Sequence, residues 1–117
     1  MTFKPFDVVV VPFPFTDSTA TKRRPALVLS TQAFNDRAAH VVLAMITSRE
    51  NRGWPLDCEI RDSNSAGLGH PSVIRMKLFT LDERFIQRKA GALAPADRTA
   101  VQRALGLLLP NPPAVRD

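Results

Sequence analysis

The feature that most constrains the fold is a pair of apolar runs near the N-terminus with a polar, cationic segment between them. Residues 8–11 (VVVV) and 26–29 (ALVL) are rich in β-branched and aliphatic side chains, and a proline adjoins each run. Such runs are typical of buried strands. The intervening residues 16–22 are polar and hydroxyl-rich, and the triplet Lys22-Arg23-Arg24 and Pro25 follow. We therefore predict two strands that hold a flexible cationic loop at one edge of a small sheet.

A loop of this kind suits a ligand that carries phosphate. Arginine offers a planar set of donors that matches phosphate oxygens, and hydroxyl groups add further donors. Arg24 is the strongest candidate, because Pro25 favours an extended backbone there and because the loop rejoins a buried strand at this point. The other candidate contacts are Asp17, Ser18, Lys22 and Arg23. The alternative is that the triplet is an ordinary solvated run of charges.

Charge and cysteine content narrow the class of partner. The formal net charge is +5 and the pI is about 10.4. This balance favours a polyanionic partner. Binding to an anionic membrane surface is the alternative, but the sequence shows no long amphipathic helix with a basic face. Cys58 is the single cysteine, so no internal disulfide can form, and a reducing compartment is expected. We find neither a signal-peptide pattern nor an apolar run long enough to span a bilayer, and we predict a cytoplasmic protein.

The rest of the chain predicts further short strands and one clear helix. We predict strands at residues 40–47, 56–60 and 72–76, the last extending to 79. Thr31 caps a short helix or turn at 31–38, and the T-x-x-E spacing from Thr80 predicts another short helix. Residues 48–55 and 62–69 read as loops. The clearest helix spans 96–109, where apolar residues recur at helical spacing.

These elements predict one domain over residues 1–117 that is mainly β with helices, an α+β chain. Its several short strands and terminal helix indicate a small, strongly curved sheet with one helix packed on it. The proline-rich residues 110–117 are predicted to be a flexible tail. The leucines near the end of the last helix occupy more than one face, so we also expect a homodimer.

Two further pairs of residues could bind or react, and each pair has an ordinary structural alternative. Thr47 and Ser48 end the third strand and either satisfy backbone groups there or donate to phosphate beside Arg24. Arg75 and Lys77 are two residues apart on a strand, so they share one face, which is either plain solvent surface or a track for a nucleic acid.

The lone tryptophan and the histidines carry weaker signals. Trp54 could stack on a base, but we favour a role as an anchor in the core. His70 could exchange protons, although an uninvolved loop histidine is the more frequent case. No HExxH, CxxC or carboxylate cluster occurs, so we predict neither a metal nor a cofactor.

The segments DVVVVPFPFTD, KRRPALVLS, VVLAMITS and GL…PSVIR…KLFTLD, in this order and at these spacings, resemble the MazF/PemK toxins of bacterial toxin–antitoxin modules. The resemblance spans residues 6–109. It implies an SH3-like β-barrel with helices that forms a homodimer, and a metal-independent endoribonuclease that cuts single-stranded RNA. It also implies a cognate antitoxin that covers the RNA groove, with DNA binding by the toxin–antitoxin complex.

The resemblance also implies roles for particular residues. The family's essential arginine falls on Arg24 and its strand-end threonine on Thr47. In the PemK branch an arginine followed two positions later by an aspartate serves catalysis. Here the arginine is Arg75, but Lys77 stands in place of the aspartate.

The residues suit the implied reaction, since RNA carries its own nucleophile in the 2′-OH. Arg24 would stabilise the phosphorane and Thr47 would add a neutral donor. A guanidinium is a poor base. The base therefore stays open among Asp17, Asp82, His70 and a water molecule.

Two other functions compete with RNA cleavage. The chain could be a toxin of the same fold that binds a protein target such as gyrase, but such toxins depend on a C-terminal aromatic residue, and the tail PNPPAVRD has none. It could also be a basic module that binds nucleic acid without cutting it. Cleavage of a labelled RNA in EDTA separates these hypotheses.

Overall fold

The computed structural model describes residues 1–13 and 22–110, which form a six-stranded antiparallel sheet with three α-helices. In chain order the strands are β1 (Asp7–Phe13), β2 (Lys22–Val28), β3 (His40–Ser48), β4 (Cys58–Glu59), β5 (Ser72–Asp82) and β6 (Arg88–Ala92). The helices are α1 (Gln32–Ala38), α2 (Ser63–Ala66) and α3 (Pro95–Leu108). Across the sheet the strands run β4-β5-β3-β2-β1-β6. The predicted fold class, mainly β with helices, is confirmed.

The sheet buries apolar side chains on both faces, which explains why its inner strands read as continuous apolar runs. Val8 and Leu27 belong to a core that includes Val101 of α3, while Val9 and Ala26 belong to a second core on the opposite face. Neighbouring residues on a strand point to opposite faces, so both Val8 and Val9 can be fully buried. The terminal helix therefore covers one face only.

Helix α3 is held to the rest of the fold by a buried carboxylate. Pro95 begins the helix, where the missing amide hydrogen has no cost. Asp97, in the first turn, is 2% exposed and accepts hydrogen bonds from the backbone amides of Arg61 and Asp62, both at 3.0 Å. The predicted helix at 96–109 is thus confirmed within a residue. Within the helix, Val101 and Ala104 are buried, while Leu108 is exposed.

Several sequence-based boundaries were wrong, and strand pairing gives the reason. The triplet Lys22-Arg23-Arg24 does not end a loop, because it already pairs with β1 as part of β2. Thr80 does not begin a helix, because it pairs with Val42 inside β5, and a single 3-10 turn follows at Glu83–Phe85 with Asp82 as its cap. A capping-box spacing is a local signal, and here the long-range sheet pairing outweighs it.

Two strands differ from expectation at the edges of the sheet. The predicted strand 56–60 shrinks to Cys58–Glu59, because Leu56 has a positive φ of 67° that interrupts an extended backbone. Strand β6 was not predicted, because it is short and contains Arg88, Lys89 and a glycine. It is an edge strand that pairs with β1 alone, and charged residues are common at such edges.

The helix prediction at 31–38 is confirmed, and Thr31 accepts a hydrogen bond from the Phe34 amide as its cap. The predicted loops at 48–55 and 62–69 each contain one short helical segment. Residues 111–117 of the predicted tail and most of the predicted cationic loop fall outside the described residues. Among the helices that the structure describes, none is long and apolar enough to cross a membrane.

Candidate functional site

Arg24 and Thr47 lie on the neighbouring strands β2 and β3. Ala26 and Met45 form the last pair between these strands, and Arg24 and Thr47 each lie two residues beyond that pair. Residues that face each other across antiparallel strands point to the same side of the sheet. Arg24 and Thr47 therefore share one face at the end of the sheet, as the hypothesis of a common site requires.

Thr47 is buried and has a defined partner. It is 5% exposed, and its Oγ1 atom lies 3.0 Å from Asn51 Nδ2, which donates to it. Asn51 belongs to the 3-10 turn at Arg49–Asn51, and Ser48 caps that turn by accepting from the Glu50 amide at 3.4 Å. Sequence reasoning missed Asn51, since an asparagine in a loop gives no distinguishing signal.

Arg75 lies on the neighbouring strand and is fixed by an ion pair. It pairs with Met45 in the sheet, and its guanidinium donates to both carboxylate oxygens of Asp57, at 3.2 and 2.9 Å. The same guanidinium donates to the Asn51 carbonyl at 2.7 Å. The hydrogen bond with Asp57 raises the pKa of Arg75 further above its usual value, so Arg75 stays charged. The carboxylate expected at position 77 from the family pattern is absent, and Asp57 supplies one to Arg75 from a different element.

Trp54 is not a core anchor, so that prediction was wrong. The side chain is 44% exposed, and its ring lies 5.5 Å from the Arg75 guanidinium and 5.5 Å from the Lys77 ammonium. Arg75 and Lys77 do share one face of β5, as their spacing predicted. The two cations contact the indole, and the ring remains partly exposed.

A cleft of about 670 Å³ opens next to Arg24. Alternation along β2 sends Arg23 and Arg24 to opposite faces, and both border this cleft. The cleft is also lined by Arg88, His70 and the backbone around Gly67, and none of the described residues that line it is acidic. Arg23, Arg24 and Arg88 form no ion pair with another residue in the described part of the chain. Sequence reasoning missed Arg88 because it missed β6.

Of the proposed bases, Asp82 lies far from Thr47, whereas His70 lies near Arg24. Asp82 pairs with His40 at the far end of β3, about 20 Å from Thr47 at the usual rise of a strand. Its hydrogen bonds from Arg84 also lower the pKa of Asp82, which weakens it as a base. His70 borders the cleft beside Arg24. Asp17 and Ser18 lie outside the described residues.

The Asp57 carboxylate, which pairs with Arg75, accepts four hydrogen bonds in total. Besides the two bonds from Arg75, it accepts from the backbone amides of Gly53 and Trp54 at 3.2 and 3.1 Å. These four hydrogen bonds give Asp57 a structural role, because they join Arg75 to the turn at residues 53–57. Across residues 1–13 and 22–110, no group of three or more His, Cys, Asp or Glu side chains is placed to bind a metal.

Solved structures define the class of fold. A crystal structure of MazF from Deinococcus radiodurans has a TM-score of 0.70 and 29% identity, with 92% of this chain and 96% of that chain covered. A MazE–MazF complex from the same bacterium has a TM-score of 0.74 at 24% identity over 92% and 96%. An endoribonuclease in complex with its cognate antitoxin, from a Mycobacterial species, has a TM-score of 0.71 at 21% identity over 95% and 98%. The curled sheet with its helices is a MazF-type fold.

The family model for the "PemK-like, MazF-like toxin of type II toxin-antitoxin system" matches residues 4–109. The chain belongs to this family. A comparison with curated proteins gives no match. The family match confirms the resemblance to MazF/PemK toxins that the sequence segments indicated.

Proposed function

We propose that this protein is a sequence-selective endoribonuclease toxin that cuts single-stranded RNA without a metal. The observation that carries the proposal is that Arg24, which has no ion-pair partner among the described residues, lies on the strand next to β3 and points to the same face of the sheet as Thr47. Family membership supports the same conclusion. A cation of this kind beside a neutral donor suits a phosphodiester.

In this mechanism the RNA supplies the nucleophile. The 2′-OH loses its proton and its oxygen attacks the adjacent phosphorus, which forms a dianionic phosphorane. Arg24 and Thr47 donate hydrogen bonds to the phosphorane oxygens and stabilise the developing charge. The P–O5′ bond then breaks, and the 5′-oxygen takes up a proton. The products are a 2′,3′-cyclic phosphate and a 5′-OH end.

The surrounding cations hold the strand. Lys22, Arg23 and Arg88 contact phosphates on either side of the cut, and such contacts fix position without reading sequence. His70 is the titratable side chain of the cleft, so among the described residues it is best placed to exchange a proton with the reacting groups. Ser48 and Lys77 belong to the same interface.

An antitoxin controls this activity in our proposal. The solved complexes of similar fold contain MazE with MazF, or an endoribonuclease with its cognate antitoxin. Among the described residues, the lining of the cleft beside Arg24 is cationic and not acidic, so an acidic segment of an antitoxin would compete with RNA for the same cations. The active species is a homodimer.

The test is incubation of the purified protein with an end-labelled RNA in excess EDTA. We expect cleavage to persist and the ends to be a cyclic phosphate and a 5′-OH. Arg24→Ala should lower the cleavage rate on the order of 10²–10³-fold, because one donor to the transition state is lost. The melting temperature of the variant should stay within a few degrees of the wild type. Near-normal cleavage by Arg24→Ala would refute the role of Arg24.

A substituted substrate isolates the nucleophile. Deoxyribose immediately 5′ of the cut should stop cleavage but leave binding, and the affinity should fall as salt rises. Binding of both strands without cleavage of either would favour a non-catalytic nucleic-acid module, and no binding would favour a toxin with a protein target. Cleavage of the substituted strand at the same bond would disprove the proposed chemistry.

A further inference from the structure

The loop that carries Trp54 is built to hold this side chain outside the core. Asp57 accepts hydrogen bonds from the backbone amides of Gly53 and Trp54, and its own amide donates to the Trp54 carbonyl at 3.1 Å. These bonds close residues 53–57 into a compact turn, in which Leu56 takes a positive φ. Hydrogen bonds therefore fix the backbone of this turn, although the Trp54 side chain that it carries is 44% exposed.

The support beneath the ring is largely withdrawn from water. The Arg75 and Asp57 side chains that form the ion pair are 13% and 10% exposed. Burying charges is costly unless they are paired and hydrogen-bonded, as these are. Arg75 and Lys77 both extend from β5 to the indole, which stays 44% exposed.

The turn is joined to the candidate catalytic residues by direct contacts. Asn51 donates to Thr47 Oγ1 at 3.0 Å, and its carbonyl accepts from Arg75 at 2.7 Å. Arg75 in turn lies 5.5 Å from the Trp54 ring. Contacts through Arg75 and Asn51 thus connect Trp54 to Thr47, so one bound single-stranded nucleic acid could contact both.

We propose that Trp54 is a stacking platform for an unpaired nucleobase next to the scissile phosphate, with Lys77 contacting the adjoining phosphate. An accessible aromatic ring with neighbouring cations is the usual way to bind the base and backbone of a single strand. The inference rests on the proposed function for the location of the cut, but base stacking itself can be measured without cleavage.

The chain contains one tryptophan, so its intrinsic fluorescence reports on Trp54 alone. The probe is a single-stranded all-deoxy oligonucleotide of mixed sequence, which lacks the 2′-OH and stays intact under the proposed chemistry. We expect it to quench the fluorescence in a saturable way. An abasic phosphodiester of equal length and charge should bind more weakly and quench little. Equal quenching by both probes, or none by either, would overturn the proposal.

Substitutions provide the second measurement. Trp54→Leu should weaken binding of the labelled oligonucleotide by about tenfold, whereas Trp54→Phe retains a ring and should stay near the wild-type value. Phe85→Leu is the matched control: Phe85 is 52% exposed but follows β5 at the far end of the sheet, so its loss should leave affinity unchanged. Wild-type affinity in Trp54→Leu, with an unchanged melting temperature, would contradict a stacking role.

The two proposals fail separately. A protein that binds the oligonucleotide through Trp54 but leaves RNA uncut would refute the nuclease and retain the platform. A protein that cuts RNA with equal efficiency as wild type and as Trp54→Leu would retain the nuclease and refute the platform.

Discussion

The side chain of Thr47 is buried, yet its hydroxyl donates no hydrogen bond to another described residue. A threonine hydroxyl carries one proton and two lone pairs. Asn51 donates to Oγ1, so one lone pair is used, and no other described residue accepts the proton. Arg24 lies on the neighbouring strand and points to the same face, so we propose a phosphate oxygen bound by both side chains as the acceptor.

Removing that hydroxyl gives a sharp prediction. Thr47→Val keeps the branched shape and should lower RNA cleavage by about a hundredfold through loss of one donor. The free energy of unfolding should fall by only about 1 kcal/mol, since one hydrogen bond is lost. Thr47→Ser keeps the donor and should cleave RNA at nearly the wild-type rate. Single-turnover cleavage and urea unfolding test this, and an equally fast Thr47→Val enzyme would exclude Thr47 from catalysis.

Cys58 shows how the same region sets the behaviour of a thiol. Burial, together with the negative charges of Asp57 and Asp97, raises the pKa of Cys58. The folded protein therefore favours the neutral thiol more than the unfolded chain does. The resulting stability is fully present below the thiol pKa of the unfolded chain, near 8.5, and is lost as pH rises through the folded pKa.

We accordingly expect a difference between wild type and Cys58→Ala that depends on pH. As the pH rises above about 8.5, the wild-type protein should lose more unfolding free energy than the variant. The chain has no tyrosine, so no phenol confounds this range. Urea melts at neutral and alkaline pH measure the difference. Parallel pH profiles for the two proteins would show that Cys58 does not titrate differently on folding.

At the scale of elements, α2 illustrates a close approach that requires glycine. Gly67 ends this helix with a φ of +72°, and a Cβ added there would lie 1.9 Å from the Ala90 carbonyl oxygen in β6. The residue thus joins α2 to the edge strand that carries Arg88. Gly69, two residues on, has nothing within 4 Å of the same added atom.

These two glycines form a matched pair. Gly67→Ala should destabilise the protein by at least about 2 kcal/mol, because it combines backbone strain with a clash against backbone. Gly69→Ala should change the free energy of unfolding by less than about 0.5 kcal/mol. Denaturant unfolding of both variants checks this. Similar stability for the two would mean that α2 and β6 separate at little cost.

Which elements could be predicted depended on how local their signals were. The inner strands and α3 carry long apolar patterns, so their existence was evident from the sequence. Strand β6 and the true course of residues 80–83 are fixed by pairing with distant strands, and no local pattern encodes that. Thr80 shows the conflict directly, because its capping signal is overruled by its partner Val42.

The candidate site divides in the same way. Arg24 and Thr47 were identifiable because each lies at the end of an apolar strand and because both match family motifs. Asn51, Asp57 and Arg88 were missed, since their roles arise from contacts across loops and an unpredicted edge strand. Trp54 was assigned to the core because hydrophobicity alone gives no information on which side of a turn a ring faces.

For the whole molecule, the C-terminal end of α3 predicts association. Leu107 is 71% exposed and Leu109 is 54% exposed, beyond the part of α3 that packs on the sheet. Contiguous exposed apolar side chains favour a partner surface. We expect light scattering at micromolar protein to give the mass of a dimer and Leu107→Glu to shift it towards the monomer. Arg103→Glu, an exposed change one turn earlier, is the control. A monomeric wild type would contradict the prediction.

The buried carboxylate of Asp97 has a further consequence for local opening. Because it binds the amides of Arg61 and Asp62, α3 cannot detach without releasing the turn after β4. Those two amides and the amides of α3 should therefore exchange their hydrogens with solvent as one cooperative group. Helix α2 and Gly67 follow this turn directly, and Gly67 borders the cationic cleft. Detachment of α3 at Asp97 would thus loosen one wall of the cleft, far along the sequence from Arg24.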